Sequence, residues 1–542
     1  KKKKESALIM RKQTKLVAVL SAAALLAIGA SMTSFAATGW TEEDGTWVYY
    51  DKEGYKVTDT WKKSGDYWYY LDEDGYMATE RLIENSDENN NIFYVDDSGR
   101  MVANRWVELE NEDYYDNSDD DVTETVWYYF QNSGKAYKAN DGYSGNGTGF
   151  KTINGKKYVF DENGHMLWGW IDANYDHVSG DEAYKTGVYY CGDANDGARV
   201  TSDWRYLYIS QPSIDSEDDD YWFYFGHNGK KYFYEDNGTG TVTNKNGKKI
   251  NGKYYTFDEF GVMQSEWYDA ASGTTVASTW TGYYNDSTNG ARQKGWFKVV
   301  PHADLDATAN NDDTAKWFYA NNDGSLVMSE IKTINGKKYA FNENGEMLDG
   351  VWALAFADVV NNAGQTVQST TKLDITNCFP IDEADDVDAL ANSDTNYRIY
   401  YFGTEDDGAL KTGNQTVEVD GDTYQFSFGK DGNSKGKGLI GKQSNRALYV
   451  QGKRVKADVD YRYQVVSADD GEVLQMTPDA NKESATTIPQ GDQNDIDNFD
   501  VYYLVNTSGT VMTSASGSYK DTEGRVYTVY ADGQIKSCYW AE

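Results

Sequence analysis

The chain has 542 residues and a formal net charge of −36, with 45 Tyr and 16 Trp but only 5 Pro and 3 Cys. Such an acidic chain repels nucleic acid and anionic membrane surfaces, so neither is expected as a partner. The aliphatic residues are few and the three Cys lie far apart, which argues against a large α/β enzyme, a disulfide-stapled domain and a cysteine metal site. Many short strands packed through aromatic side chains are favoured instead.

Residues 1–36 are typical of a secretory signal. Lys and Arg precede an apolar run at 16–28, and small residues follow at 34–36. The apolar run is shorter than the ~20 residues of a membrane-spanning helix, so we expect secretion and no membrane insertion. Removing this segment takes away seven basic residues and one Glu. The mature chain then carries 44 basic and 86 acidic residues, a net charge of −42.

A unit of about twenty residues begins to repeat at Gly39, a period typical of repeat architectures. Each of the first two units opens on a Trp, continues into an aromatic run, and closes on an Asp-x-x-Gly turn. This order predicts one β-hairpin per unit, which is marginal alone and needs stacked neighbours. Strand alternation places Trp68 and Tyr70 on one side of the second hairpin and Tyr69 and Leu71 on the other.

The same unit continues along the chain with insertions. KTINGKKYVF at 151–160 returns almost unchanged at 332–341, and a near-copy lies at 248–257. Polar, acidic excursions lengthen the units between these copies. We therefore predict an all-β protein, a solenoid of stacked β-hairpin repeats, with the regular hairpins over residues 37–352.

The pattern weakens after Trp352. Residues 353–396 are polar and acidic and are expected to form an insertion or linker. Residues 397–542 contain aromatic strands and turns but no Trp before Trp540, so they are interpreted as degenerate hairpin repeats. Residues 467–499 are expected to be an exposed connection. No helical periodicity stands out beyond the signal segment.

Signals for catalysis are weak. The four His residues lie in no metal-binding frame, and the acidic runs lack the ligand spacing of a calcium loop. Residues 436–441 match GxGxxG but do not stand between a strand and a helix. No repeat-free stretch approaches the ~100 residues of a usual domain. We predict no catalytic residue, no metal, no cofactor and no enzymatic activity.

The units resemble the cell-wall-binding, or choline-binding, repeat family, and also the related carbohydrate-binding repeats of glucan-binding proteins and clostridial toxins. The resemblance covers residues 39–352 well and 397–542 loosely. It implies a left-handed superhelix of hairpins that holds ligand between successive hairpins, in cages of Trp and Tyr with a Met nearby. Leu82 and Ile153 depart from the pattern, since each is expected to replace a cage Trp. Carried over to this chain, the resemblance gives candidate cages at Trp40, Trp47, Trp61 and Trp68 with Tyr70 and Met77, at Trp106 with Trp127, and at Trp170 with Met166.

The function implied is a secreted, non-catalytic protein of the cell surface that attaches to teichoic-acid choline or to cell-wall or extracellular glycan. Three aromatic rings would give only millimolar affinity per cage, so several cages must act together. Two alternatives stay open: a glucan-binding repeat protein, and a structural or adhesive protein whose Trp residues only pack hairpins. An autolysin-type enzyme is disfavoured, because no separate catalytic domain is visible. The oligomeric state is open.

Overall fold

The structure is a computed structural model of the whole chain. It describes residues 38–84, 90–114, 122–139, 149–209, 219–233, 247–267, 282–491 and 501–541. The predicted signal segment lies outside these residues, so its presence stays a prediction. Among the residues described, no helix is long and apolar enough to cross a membrane.

The chain divides into two compact bodies. The N-terminal body takes the described residues of 1–244 and 256–264, and the C-terminal body takes those of 245–255 and 265–542. The strands of the N-terminal body pair as antiparallel hairpins, except that β11 pairs with both β12 and β13. They are β1 (Gly39–Glu43), β2 (Thr46–Tyr50), β3 (Thr60–Ser64), β4 (Tyr67–Leu71), β5 (Arg81–Glu84), β6 (Ile92–Val95), β7 (Arg105–Glu110), β8 (Thr125–Phe130), β9 (Lys151–Ile153), β10 (Lys156–Tyr158), β11 (Trp170–Ile171), β12 (His177–Val178), β13 (Tyr189–Tyr190), β14 (Asp203–Ile209) and β15 (Asp219–Phe225).

The C-terminal body begins with similar hairpins and ends in broader sheets. Its largest sheet has five strands in the order β27-β28-β31-β30-β29. Its strands are β16 (Lys248–Ile250), β17 (Lys253–Tyr255), β18 (Gly295–Val299), β19 (Lys316–Ala320), β20 (Glu330–Ile334), β21 (Lys337–Phe341), β22 (Val351–Leu354), β23 (Phe356–Val360), β24 (Thr366–Leu373), β25 (Phe379–Pro380), β26 (Arg398–Tyr401), β27 (Gly413–Val419), β28 (Asp422–Phe428), β29 (Gly441–Lys442), β30 (Leu448–Val450), β31 (Lys453–Arg454), β32 (Tyr463–Ser467), β33 (Tyr502–Asn506), β34 (Ser518–Lys520), β35 (Arg525–Val529) and β36 (Ile535–Trp540).

The helices are short. The described residues contain α1 (Ala183–Thr186), α2 (Ala307–Asn311) and α3 (Ala384–Asp388), and 3-10 turns at Glu112–Tyr114, Ile375–Asn377 and Gly432–Ser434. Helices of four or five residues are too short to produce an apolar periodicity, which explains why the sequence showed none.

The Asp-x-x-Gly turn is set by one carboxylate. Asp72 Oδ1 accepts the backbone N–H of Asp74 at 3.1 Å and of Tyr76 at 2.8 Å. The Gly75 N–H donates to the Asp72 carbonyl oxygen at 2.9 Å, and Gly75 has φ +78°, which glycine adopts without strain. The same carboxylate-to-backbone pattern closes the turns at Asp51, Asp96, Asp161 and Asp258.

The residues just after each turn join one hairpin to the preceding one. The Met77 N–H donates to the Trp47 carbonyl oxygen of the first hairpin, and the Ala78 N–H donates to the Tyr70 carbonyl oxygen of its own hairpin, both at 2.8 Å. Tyr69 and Leu71 are buried, while Trp68 is 41% exposed, as strand alternation predicted. The stacking of aromatic hairpins predicted from the sequence is confirmed within each body; the superhelical hand stays a prediction.

Residues 353–396 are built into the C-terminal body. The β23–β24 hairpin lies there and attaches to β20, where Lys372 pairs with Glu330. The segment also contains α3, whose Val387 is fully buried among aliphatic side chains of the five-stranded sheet. An aliphatic core of this kind needs no Trp, which explains how residues after 397 fold with almost none.

Over its described part, which ends at 491, the segment 467–499 is half-buried or exposed after Ala468, as expected, but it is attached along its length rather than free. The Ile488 N–H donates to the Lys536 carbonyl oxygen at 2.8 Å, and the Asp479 N–H donates to the Cys538 carbonyl oxygen at 3.0 Å. These bonds fix the segment along the edge strand β36, and Ile488 also packs on the cluster that contains Cys538. No sequence pattern indicated this attachment, because the segment is polar and irregular.

Candidate functional site

A cluster of aromatic rings forms on the exposed side of the β3–β4 hairpin. Trp61 lies directly opposite Tyr70 in the register, with ring centroids 5.1 Å apart. Trp68 stands two residues before Tyr70 on the same face of β4. From the next hairpin, Phe93 brings its ring to 5.3 Å from that of Trp61, and Met101 packs against the cluster.

This arrangement occurs five times in the described residues. Each two-Trp site, named by its first Trp, has that Trp opposite a Tyr, a second Trp two residues before the Tyr, and a Met from the next hairpin. The sites are Trp40, Trp47, Tyr49 and Met77; Trp61, Trp68, Tyr70 and Met101; Trp106, Trp127, Tyr129 and Met166; Trp204, Trp222, Tyr224 and Met263; and Trp296, Trp317, Tyr319 and Met347.

In three of the five sites the two Trp rings stand nearly at right angles. Their centroids are 6.5 Å apart at 80° in the Trp106 site, 6.2 Å at 89° in the Trp204 site and 6.1 Å at 88° in the Trp296 site. The first Trp also meets an aromatic ring of the following hairpin. Trp106 lies 4.8 Å from Tyr158, and Trp296 lies 4.7 Å from Tyr339. The rings therefore form the walls of a corner rather than one flat stack.

The Met and the second Trp occur together in every one of these sites. In all five the Met backbone N–H donates to the carbonyl oxygen of the second Trp, at 2.8–2.9 Å. The same inter-hairpin bond occurs elsewhere in the described chain with other residues at the donor position, and there the acceptor is never Trp. Those pairs are Ala136 to Ile92, Arg199 to Lys157, Lys231 to Val188, Arg292 to Tyr254, Leu410 to Lys338, Gly438 to Ile399 and Val511 to Arg446. A backbone bond alone requires neither Met nor Trp, so the pairing points to a role of the two side chains.

A glycine of a third hairpin makes room for the Met. A Cβ on Gly134 would lie 2.6 Å from Met101 Sδ, and one on Gly197 would lie 2.3 Å from Met166 Sδ. Gly99 and Gly408 approach Met77 and Met347 in the same way. Each of these glycines also has a positive φ. Four of the sites therefore draw side chains or backbone from three consecutive units.

The described side chains that form the sites are uncharged. Burial raises the pKa of Tyr70 and of Tyr224, so both phenols stay neutral at physiological pH. Lysines lie close by: Lys62 Nζ is 5.3 Å from the Tyr49 ring centroid, and Lys298 Nζ is 5.9 Å from that of Trp317. Lys298 Nζ forms ion pairs with Glu405 Oε1 at 3.1 Å and Asp406 Oδ1 at 3.2 Å, which balance its charge.

The indole N–H groups of the Trp residues differ in their partners. Within the Trp296 site, Trp317 donates its indole N–H to Asp406 Oδ1 at 3.3 Å. Trp267 and Trp352 donate theirs to the carbonyl oxygens of Val300 and Asp349. The buried N–H groups of Trp40, Trp61 and Trp127 have no acceptor among the described residues. A buried donor without an acceptor destabilises the fold by about 1–3 kcal/mol. These three rings are held where they are in spite of that loss.

The structure separates one predicted pair. Met166 packs with Trp106 and Trp127 and not with Trp170. Its N–H bond to the Trp127 carbonyl oxygen directs it to the preceding hairpin, so the Trp four residues away in sequence is not its neighbour. Trp170 is 8% exposed and packs edge-on against Tyr190 and Phe223, at 5.3 and 5.1 Å.

The predicted Trp replacements also need one correction. Leu82 does occupy the first-Trp position, because it pairs with Tyr94 in the register. Ile153 does not: it pairs with Lys156 beside the hairpin turn and is buried in the cluster of Met166. Phe150 stands at the Trp position instead, with its ring 5.0 Å from Tyr189 of the following hairpin.

The Trp204 and Trp296 sites were missed by the sequence reasoning. Their signal was present in Trp222-Phe223-Tyr224 and Trp317-Phe318-Tyr319, which repeat the Trp-x-Tyr spacing of Trp68-Tyr69-Tyr70. The second half of the signal is a Met after the next turn, Met263 for the Trp204 site and Met347 for the Trp296 site. In the part of the chain that the structure covers, no cluster of His, Cys, Asp or Glu has the arrangement of a metal site.

Comparison with known protein families gives matches over this same region. The choline-binding repeat family matches residues 57–106, and the cell wall binding repeat family matches residues 126–136 and 148–166. The chain carries choline-binding repeats. Together the matched segments include all four residues of the Trp61 site and all four of the Trp106 site.

The chain is also similar to part of a longer relative. The chain is 25% identical over 370 residues to glucosyltransferase-S of Streptococcus mutans, an alignment that covers 61% of this chain and 22% of that protein. The chain thus spans about a fifth of the length of that relative.

Several solved structures resemble parts of the chain. The autolysin LytC of Streptococcus pneumoniae is 17% identical, with 60% of this chain and 57% of LytC covered and a TM-score of 0.32. The choline-binding domain of CbpL is 19% identical, with 48% and 98% covered and a TM-score of 0.28. Choline-binding protein F is 21% identical, with 58% and 100% covered and a TM-score of 0.25. Both are also from Streptococcus pneumoniae.

Proposed function

We propose that the protein is a secreted, non-catalytic cell-surface protein whose two-Trp sites bind the quaternary ammonium groups of choline-bearing polymers. The observation that carries the proposal is the pairing of Met with the second Trp in all five sites and in none of the other inter-hairpin joints described. The Met and the second Trp come from different hairpins and meet at one corner, where a single ligand could touch both side chains.

The chemistry of the site suits a quaternary ammonium. Such a cation has no hydrogen-bond donor, so it is recognised by ring faces and dispersion. Two perpendicular Trp rings, a neutral Tyr and a polarizable Met supply both, and they require no charged partner. The net charge of −36 also raises the local concentration of a cationic ligand over that of an anionic one.

Several sites are needed for firm attachment. Each well-placed ring contributes about 0.5–2 kcal/mol, so a single site reaches on the order of 4 kcal/mol, or millimolar affinity. Sites on one chain that bind one polymer gain effective concentration, which multiplies retention without new contacts. Five sites support attachment to a polymer rather than capture of a free small molecule.

A second candidate is glycan binding through exposed rings. Trp68 is 41% exposed, and Tyr206 and Tyr208 on β14 are 53% and 61% exposed. The Tyr206 ring lies 4.9 Å from that of Trp222 at 37°. Flat exposed rings of this kind can stack on sugar faces, and the similarity to part of glucosyltransferase-S favours this alternative over a purely structural role.

The deciding experiment is retention of the purified protein on a choline or tertiary-amine matrix, followed by elution with free choline. Retention and choline elution are expected. Failure to bind there together with binding to α-glucan or peptidoglycan would replace choline by a glycan. Failure on every matrix, with Trp fluorescence unchanged by choline and by oligosaccharides, would favour the structural alternative. A clearing band in cell-wall zymography would overturn the non-catalytic assignment.

A further inference from the structure

One joint of the N-terminal body has a lysine where the two-Trp sites have Met. The Lys231 N–H donates to the Val188 carbonyl oxygen at 2.8 Å, the same inter-hairpin bond that Met101 makes to Trp68. Val188 thus stands at the second-Trp position, two residues before Tyr190. Trp170 stands at the first-Trp position, because it pairs with Tyr190 in the register.

The Lys231 side chain turns inward among these rings. Lys231 is only 6% exposed, and its Nζ lies 5.3 Å from the Trp170 ring centroid. The ammonium also donates a hydrogen bond to the Tyr184 carbonyl oxygen. Trp170, Tyr190 and Phe223 form the same three-ring set as Trp61, Tyr70 and Phe93 in the Trp61 site. An ammonium group of the chain itself therefore lies among three rings that match the Trp, Tyr and Phe rings of the Trp61 site.

The buried Lys231 ammonium must be stabilised by the groups around it. A buried charge is unfavourable unless ring faces, carbonyl oxygens or counter-charges replace its water. Here burial lowers the pKa of Lys231 to about 8, and the Asp258 carboxylate opposes the decrease. In most molecules the Lys231 side chain therefore stays protonated at neutral pH. The rings and the Tyr184 carbonyl oxygen are what this cation gains in place of water.

Arg199 repeats the arrangement one joint earlier. Its N–H donates to the Lys157 carbonyl oxygen at 2.8 Å, so Arg199 also stands at the Met position. Its Cζ lies 4.6 Å from the Phe150 ring centroid and 5.8 Å from that of Tyr189. Phe150 occupies the first-Trp position of that joint. Two consecutive joints thus hold a cation of the chain against their own rings.

We propose that Lys231 is a built-in ligand of the Trp170 ring set, and Arg199 of the Phe150 ring set, so that these joints exclude an external cation. The part concerning external cations rests on the proposed choline binding. The residue at the Met position then decides what a joint does: Met leaves the ring corner available, whereas Lys or Arg fills it from within.

The test counts bound choline in four proteins: wild type, Val188→Trp, Lys231→Met and the double variant. Isothermal titration calorimetry with choline chloride gives the number bound per chain, and thermal unfolding checks that each variant folds. The double variant is expected to bind one more choline than wild type, and Val188→Trp alone is expected to bind no more. An equal gain in Val188→Trp alone would overturn the proposal, because Lys231 would then exclude nothing. No gain in a folded double variant, with the wild-type sites intact, would also overturn it.

A second measurement needs no ligand. In protein labelled with ¹³C-lysine, the ε-methylene protons of Lys231 are expected to resonate upfield of other lysines because of the Trp170 ring current. The upfield shift is expected to disappear in Trp170→Leu, and Lys231→Met assigns the signal. An ordinary shift in wild type would overturn the proposal even if choline binds elsewhere. If wild type binds no choline, the proposed function fails, and this spectrum alone decides whether Lys231 occupies the ring set.

Discussion

The Met101 backbone N–H donates a 2.8 Å hydrogen bond to the carbonyl oxygen of Trp68, in the hairpin before its own. This bond places a thioether from one repeat beside the aromatic corner of another. The same bond recurs at each two-Trp site. A substitution can therefore be made at one site while the other sites serve as internal controls.

Removing Trp68 should eliminate one ligand site with a moderate loss of stability. Trp68 is 41% exposed, so Trp68→Ala removes a ring of which more than half is buried. Choline bound per chain is expected to fall by one, and the free energy of unfolding by about 1–3 kcal/mol. Trp540→Ala is the matched control, because Trp540 is 42% exposed and lies outside the five sites. An equal loss of choline in both variants would contradict the assignment.

A methyl group at Gly134 should disturb the Trp61 site through Met101. Gly134 and Gly155 have nearly the same positive φ, +81° and +82°, so alanine at either position strains the backbone by about 1–2 kcal/mol. At Gly155 the new Cβ meets no atom within 4 Å, whereas at Gly134 it lies 2.6 Å from Met101 Sδ. We expect Gly155→Ala to change stability alone and Gly134→Ala to weaken choline binding as well. Equal binding in the two variants would show that the Met position does not matter.

Lys231 should make the protein more stable as the pH rises through moderately alkaline values. Its folded pKa, about 8, lies below its ordinary value of 10.5, so the unfolded chain binds more protons between these two pH values. Stability therefore rises across this window, by on the order of 3 kcal/mol in total. The measurement is the free energy of unfolding of wild type minus that of Lys231→Met, from pH 7 to pH 10. A difference that does not change with pH would show that Lys231 is not held in a desolvated position.

Buried phenols should set the alkaline limit of stability. Burial raises the pKa of Tyr283 and of Tyr527 to about 12 from an ordinary value of 10.0. The stabilisation from these neutral phenols is fully present below pH 10 and is lost as the pH rises toward 12. Ultraviolet absorbance of phenolate and circular dichroism, recorded together, are expected to show late phenols ionising as the fold is lost. Complete ionisation near pH 10 with the fold intact would contradict this.

The sequence was sufficient for the hairpins because their signals are local. The aromatic run at 67–71 and the carboxylate of Asp72 act within one unit, and the structure has the strand and the turn where they were predicted. The partition of the β4 side chains between two faces also followed from alternation alone. By contrast, the polar segment up to residue 491 attaches to β36 through backbone bonds, which side-chain patterns do not reveal.

The candidate sites were only partly predictable because each one crosses between repeats. Proximity in sequence was misleading: Met166 lies four residues from Trp170 but packs with Trp106, in the preceding hairpin. Ile153 likewise lies beside the hairpin turn, where it pairs with Lys156. The strand register places Phe150, not Ile153, at the position of the first Trp. Whether any site binds ligand stays a prediction from sequence and structure alike.

Since a glycine of a third unit must leave space for the Met that completes a site two units earlier, a repeat is not a self-sufficient evolutionary module. Duplicating, deleting or exchanging one unit changes which residues come into contact on both sides of the new boundary. Rearrangement within such an array would therefore alter the aromatic corners at its junctions, and in four of the five sites the smallest inheritable unit is three neighbouring repeats long.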